Sequence, residues 1–285
     1  MNTNDLKLFE AAAYHGNFTR AAETMHTVQS NVTSRIKNLE EEFGATLFSR
    51  TSRKVELTSA GKIVLQCCKQ INNLLEDTKL AIGKNKEVKG QIKIGFIETT
   101  MAIKGPMLVA QMADKFPLID IDFTSAMKDR LIDDVLSYKL DAAFIPAPIY
   151  DEELEQLQIA DESIVVVTPM SVKSLNKLLE QPQIKAIVFD QGCFFRARME
   201  NWLVSKTITN YHKTVMNSVE GVVNFIESGI GFSFLPKEII STFYKDRKLK
   251  TFSLPKEIGA MKTVLIYRKE SLSSPVLRAF NSLFQ

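Results

Sequence analysis

The chain has 285 residues, 45% of them hydrophobic and 24% charged, with three cysteines. This is enough apolar material to bury substantial cores, and no uninterrupted apolar run reaches membrane-spanning length. Cys67, Cys68 and Cys193 are too few and too unevenly spaced for a disulfide framework or a structural zinc site. The net charge of +3 lies wholly at the front: residues 1–90 hold 13 Lys or Arg against 10 Asp or Glu, and the remainder holds 23 of each. That distribution points to a polyanionic partner for the first third. The opening MNTNDLKLFEAAAYHG lacks a basic segment followed by an apolar one, which predicts a cytoplasmic protein.

Residues 5–15 place Leu6, Phe9 and Ala13 on one helical stripe, and Gly16 and Asn17 end it. Thr19 is positioned to cap a second short helix containing Ala21, Ala22 and Met25. A turn near Thr27 leads into "QSNVTSRIKNLE", residues 29–40. Two short helices joined by a tight turn form a helix-turn-helix pattern. With Val32, Ile36 and Leu39 facing inward, Gln29, Ser30, Thr33, Ser34 and Lys37 turn outward at about 100° per residue. A solvated face gains nothing from Gln, Ser and Thr over Lys and Glu. A helix in a DNA major groove does: Gln pairs bidentately with adenine, Ser and Thr reach bases or phosphates, and a Thr methyl meets a thymine methyl. Arg35 and Asn38 flank this face, better placed for phosphates. After Gly44, the segments LFSRT and SRKVELT predict a small wing, closed by Leu47, Phe48, Val55 and Leu57.

A long helix is predicted from Ser59 to about Lys86. Val64, Cys68, Ile71, Leu75, Thr78 and Ile82 form a 4-3-4-3-4 seam suited to a partner helix. The charged GKNKEVKG that follows reads as a hinge. From Gln91, strands alternate with helices, and the pattern restarts after Asp161. This predicts an α/β fold with mostly parallel sheet in two lobes, with a crevice between them. Ligands in such folds sit beyond the carboxyl ends of strands, near helix N-termini. Thr99 and Thr100 there either cap their helix or cradle an anion.

The residues "NFTRAAETMHTVQSNVTSRIKNLEEEFGATLFSRTSRKVELTSAG", Asn17–Gly61, closely resemble the winged helix-turn-helix of LysR-type transcriptional regulators. The stretches FIETT, KFPLIDIDF, LDAAFI and NSVEGVVNFIESGIGFSFLP follow the same family plan more loosely. A subgroup shares the wording Val-Gln-Ser-Asn-Val-Thr, although many members carry Ser at the place of Val28 and Arg at that of Ser34. The resemblance implies an all-α winged helix-turn-helix over 1–58 and a linker and dimerisation helix with its hinge over 59–90. A periplasmic-binding-protein-like effector domain is implied over 91–285, with one lobe at 91–161 and 266–285 and the other at 162–265.

Carried over residue by residue, the DNA-binding set is Gln29, Ser30, Thr33, Ser34, Arg35, Lys37, Arg50, Arg53 and Lys54, the last three in or beside the wing. The implied effector contacts start the helix after the first strand, at Glu98, Thr99, Thr100 and Met101. Ser125, Met127, Pro146, Cys193, Phe194, Arg196, Asn217 and Ser218 complete the candidates. Arg196 either meets a ligand anion or pairs with Glu200. Peroxide-sensing members use two cysteines in this region, whereas here Cys193 is displaced by one position and Leu203 stands at the second. Disulfide sensing is therefore not expected, and Cys67 and Cys68 read as buried packing residues.

The three histidines are scattered, and no nucleophile elbow, phosphate loop or zinc-protease motif is present, which argues against an enzyme. The resulting expectation is a transcriptional regulator, a homodimer or homotetramer, that binds double-stranded promoter DNA and a small-molecule co-inducer. It needs no metal, cofactor or membrane. The alternative is a solute-binding-like protein whose N-terminal domain serves protein interaction.

Overall fold

The computed structural model describes residues 1–50, 55–82 and 87–284, leaving out the side chains at positions 50, 73, 76, 77, 80 and 81. Arg53, Lys54 and half of the expected hinge, residues 83–86, lie outside the described residues. The chain forms two compact units, the first built on Met1–Lys86 and the second on Glu87–Leu272 and Val276–Gln285. No helix among the described residues is long and apolar enough to cross a membrane.

The first unit comprises α1 (Thr3–His15), α2 (Phe18–Thr24), α3 (Gln29–Phe43), a hairpin of β1 (Phe48–Arg50) and β2 (Val55–Leu57), and α4 (Ser59–Ile82). A reciprocal capping box starts α1: the Asn2 side chain accepts from the Asp5 N–H, and the Asp5 carboxylate accepts from the Asn2 N–H. The cap of α2 is Asn17, which accepts from the N–H groups of Thr19 and Arg20, and not Thr19 as expected. The helix begins two residues earlier than expected, at Phe18, so the Asn17 side chain reaches those groups first. Phe48 packs its ring 5.1 Å from Phe9 and 5.4 Å from Phe18, over buried Val32, Ile36, Leu39 and Leu47. Glu40 ties α3 to the wing by accepting from the N–H groups of Leu47 and Phe48, at 2.8 and 3.2 Å.

Gly61 shows why the Leu-Thr-x-x-Gly ending is required. Thr58 donates to the carbonyl of Thr46 and accepts from the Gly61 N–H. A Cβ at Gly61 would lie 2.1 Å from the Leu47 carbonyl oxygen. Any side chain there pushes α4 off the wing.

The expected seam on α4 is divided. Val64 and Cys68 are buried in the core of their own unit, with Ile71 partly buried against it. Asn72 also donates to Glu10 of α1 at 2.8 Å. Among the described side chains, the outward apolar residues are Ile63 and Leu74, outside the seam, and Ile82, its last position, each more than 60% exposed. Cys68 is a packing residue as expected, but Cys67 is exposed. The 4-3-4 spacing identifies a buried stripe without saying which neighbour buries it, and α1 takes its first two positions.

The second unit runs β3 (Gly90–Phe96), α5 (Glu98–Lys115), β4 (Ile119–Ser125), α6 (Lys128–Leu136), β5 (Ala142–Pro146), β6 (Leu154–Pro169), α7 (Leu175–Leu179), β7 (Lys185–Val188), α8 (Phe194–Ser205), β8 (His212–Val215), α9 (Val219–Glu227), β9 (Ser233–Pro236), α10 (Lys237–Phe243), β10 (Leu249–Ser253), α11 (Lys256–Gly259), β11 (Ala260–Arg268) and α12 (Pro275–Asn281). β3 lies between β4 and β5, parallel to both. The sheet is mixed, not mostly parallel, because β11 is antiparallel to β5 and β6, and β9 and β10 are antiparallel to β6.

The 16-residue β6 joins the lobes. Its first part, to Ser163, pairs with β11, while Ile164–Pro169 pair with β9 and β10. The chain returns to the first lobe at Ala260, where β11 begins, earlier than the expected residue 266. Strands crossing between lobes leave the helix N-termini of both lobes facing a shared cleft.

Candidate functional site

The first candidate surface is the outward face of α3. Its apolar side is fully used: Val32 and Ile36 are 0% exposed and Leu39 is 1% exposed. Gln29, Ser30, Ser34 and Lys37 are exposed, and Thr33 and Arg35 are half-buried. Val28, at the N-cap, is 65% exposed and gives α3 no side-chain cap. The first turn of α3 therefore presents backbone N–H groups and the positive end of the helix dipole, which favour a phosphate.

Some of the predicted residues already have partners. Arg35 Nη1 donates to Asp5 Oδ1 at 2.8 Å, tying α3 to the cap of α1. The Thr33 hydroxyl donates to the Gln29 carbonyl at 3.0 Å, which leaves the methyl group and an oxygen lone pair for other contacts. Lys37 lies 3.6 Å from Glu41, a pair too exposed to hold the lysine. Arg50 ends β1, its backbone paired with Val55. Its side chain, with Arg53 and Lys54, is outside the described residues.

The second candidate is a cavity of about 250 Å³ in the second unit. It is lined by Ile97, Glu98 and Thr99 of the α5 start, Ser125, Ala126, Met127 and Lys128 of the α6 start, and Phe189, Gly192, Cys193, Phe194, Phe195 and Asn217 of the other lobe. Of the predicted effector residues, Thr99, Ser125, Met127, Cys193, Phe194 and Asn217 come together here. Thr100 is buried away from the cavity wall, and Met101 and Pro146 also stand outside it. Arg196 pairs with Glu200 at 3.0 Å and donates to the Phe189 carbonyl at 3.3 Å. Ser218 caps α9 by accepting from the Gly221 N–H.

Sequence reasoning missed Lys128, Phe189 and Phe195. The two phenylalanines read as ordinary core residues, and only the fold turns them to the cleft. Lys128 carried one available signal, its place in the loop after IDIDF at the start of a helix.

The helices that open on the cavity share one feature. The N-caps of α5, α6 and α8 are Ile97, Met127 and Cys193, and none makes a side-chain cap hydrogen bond. At α5 and α6 the first-turn N–H groups are not satisfied by caps, whereas at α8 the Cys193 sulfur meets the N–H groups of Phe195 and Arg196; all three dipoles present positive ends. Thr99 is 3% exposed, and its hydroxyl has no partner among the described residues. Neither Thr99 nor Thr100 caps α5. Lys128 donates to the Pro148 carbonyl at 3.0 Å, and burial pulls its pKa below the usual lysine range. Glu98 Oε1 crosses the cleft to accept from the Val219 N–H at 3.1 Å. Burial raises the pKa of Cys193, so it is held as a thiol, the less reactive form.

Comparison with known proteins identifies both parts of the chain. Residues 3–62 match the family model "bacterial regulatory helix-turn-helix protein, lysR family", and residues 85–285 match "LysR substrate binding domain". The chain is 34% identical over 284 residues to the HTH-type transcriptional regulator YusT of Bacillus subtilis (strain 168), covering 100% of this chain and 95% of that protein. It is 30% identical over 280 residues to GltR of the same organism, covering 98% and 95%. Among solved structures, a full-length OxyR variant from Pseudomonas aeruginosa gives a TM-score of 0.79 at 20% identity, covering 99% of this chain and 94% of that one. CbnR complexed with its target DNA gives 0.68 at 20% identity, covering 100% and 99%. At that identity the structural likeness establishes the fold: a helix-turn-helix domain followed by a two-lobed α/β domain. With both family models matched and relatives aligned along the whole chain, the protein belongs to the LysR family of bacterial DNA-binding transcriptional regulators.

Proposed function

We propose that α3 reads promoter DNA in the major groove through Gln29, Ser30, Thr33 and Ser34, with the wing residues Arg50, Arg53 and Lys54 on the backbone. The observation that carries this reading is the division of α3: an apolar side buried to 1% exposure or less, and an opposite side of short polar groups that nothing in its own unit covers. Arg35 serves the fold through Asp5 and reaches phosphates secondarily. The wording Val28–Thr33 places the chain in the subgroup of the family that shares it. Residues 1–58 form the DNA-binding domain, 59–90 the linker and 91–285 the effector domain.

The chain acts in the cytoplasm, by binding and not by catalysis, as a homodimer or a dimer of dimers. The exposed Ile63, Leu74 and Ile82 on α4 offer an apolar face for a second copy. The cavity at the starts of α5, α6 and α8 takes a small-molecule effector. An effector alters DNA binding by preferring one arrangement of lobes or subunits, since equal affinity for two states shifts neither.

Selection of duplexes from a random library by the full-length protein tests the reading. A dimer enriches two half-sites separated by about one helical turn or a multiple of it. Affinity for them falls steeply with salt. Recovery of unenriched sequence would leave the protein as a non-specific or non-DNA binder.

A further inference from the structure

The cavity lining carries groups of both charge signs. The groups that favour an anion are the uncapped starts of α5 and α6, the ammonium of Lys128 and the buried hydroxyl of Thr99, which has no partner among the described residues. These groups together favour a carboxylate, each positive helix end and free N–H adding to the same preference. The group of opposite sign is Glu98, the first residue of α5 and the neighbour of Thr99. One of its oxygens accepts from Val219 across the cleft, and that single backbone N–H does not neutralise a carboxylate. Glu98 is exposed while the cavity is open. Any ligand that fills the cavity covers it, and an ionised carboxylate removed from water needs a charged partner.

A simple carboxylate would put a second negative charge beside Glu98. A simple amine would leave the helix starts and Thr99 unanswered. A molecule bearing both groups answers both requirements. Apart from Ser125 and Asn217 the rest of the lining is mainly apolar, with Phe189, Phe194 and Phe195 on one lobe and Ile97 and Met127 on the other. The volume of about 250 Å³ falls just under the range of about 300–1,000 Å³ usual for ligand sites, so the molecule is small.

We propose that the effector is a zwitterion, an α-amino acid with an apolar side chain, and that Glu98 is the residue that selects its ammonium. The carboxylate lies at the helix starts with Thr99, the ammonium on Glu98, and the side chain against the phenylalanines. This rests on the reading of the cavity as the effector site.

The test uses the full-length protein and three sets of probes. The first is leucine, methionine and phenylalanine; the second is their deaminated acids; the third is their decarboxylated amines. Binding is measured by calorimetry and thermal shift for the wild type, Glu98→Gln and Thr99→Val. At least one amino acid should bind, roughly tenfold or more tighter than both of its truncated analogues, because each analogue leaves a charged wall group without its partner. Glu98→Gln keeps an acceptor for the Val219 N–H and removes the charge. It should weaken amino acid binding by about tenfold and leave the deaminated acid unchanged or improved.

Failure of every amino acid to bind overturns the proposal. So does equal or tighter binding of the deaminated acid, or unchanged amino acid affinity in Glu98→Gln. Deaminated acids that bind and are weakened by Thr99→Val would keep the cavity as the effector site while removing the zwitterion. Binding insensitive to both variants would remove the cavity reading as well.

Discussion

Arg35 of the recognition helix donates to Asp5 at 2.8 Å, and Asp5 in turn holds the N–H of Asn2 at the start of the chain's first helix. The Asp5 side chain is 9% exposed and that of Arg35 is 40% exposed, so the pair is shielded on one side only. Asp5→Ala breaks the pair and the capping box together. It should cost about 1–2 kcal/mol of stability, measured by urea unfolding, with little change in which DNA sequence is preferred. Arg35→Ala should lose stability in the same direction. If Arg35→Ala leaves stability intact and removes DNA affinity, the arginine is a phosphate contact and not a brace.

Thr99→Val carries two opposite expectations. Its hydroxyl is buried without a partner, and an unsatisfied buried polar group costs about 1–3 kcal/mol. Valine preserves shape and removes that cost, so the ligand-free protein should gain about 1 kcal/mol in thermal or urea unfolding. The same variant should lose effector response. A variant that is both less stable and fully responsive contradicts the placement of this hydroxyl.

The second unit should show a pH signature at Glu162. Burial raises its carboxyl pKa, and the hydroxyl of Thr263, donating at 2.7 Å, opposes that only in part. A folded pKa above the unfolded one means that folding disfavours the ionised form. The stability this group contributes is full below the ordinary glutamate range and is lost as pH rises through the raised folded value. Glu162→Gln keeps an acceptor for Thr263 and should raise the melting temperature at pH 7. The advantage should shrink near pH 4, where the wild-type carboxyl is protonated too. An equal gain at both pH values would assign the effect to something other than charge.

The two faces of α4 should respond differently to charge. Val64→Asp places a carboxylate in the core of its own unit and should prevent that unit from folding. Leu74→Glu alters a side chain that is 62% exposed in the single chain. It should leave the fold intact and weaken self-association, read by sedimentation at several concentrations. An undiminished dimer in Leu74→Glu would move the interface off this face.

Much of the first unit was legible because its rules are local. Val32, Ile36 and Leu39 repeat with helical period, Gly44 ends the helix, and Gly61 is required by one carbonyl of Leu47. What was not legible depended on which neighbour a residue meets. The Thr19 cap failed because Asn17 competes for the same N–H groups. The α4 seam failed at Val64 and Cys68 because α1 buries them within the chain. The cavity was half legible: Thr99, Ser125 and Asn217 stand at predictable strand ends and helix starts. Phe189 and Phe195 did not stand out, because an aromatic residue that lines a cleft has the same local pattern as one that fills a core.

The central claim, that α3 reads bases through its polar face, is tested most directly at Gln29. The measurement is the ratio of affinities for a selected duplex and a random one, taken for wild type and Gln29→Ala at one salt concentration. Gln29→Ala should lose about 1–3 kcal/mol on the selected duplex and little on the random one, so the ratio collapses. An unchanged ratio, whatever the fall in absolute affinity, would contradict it.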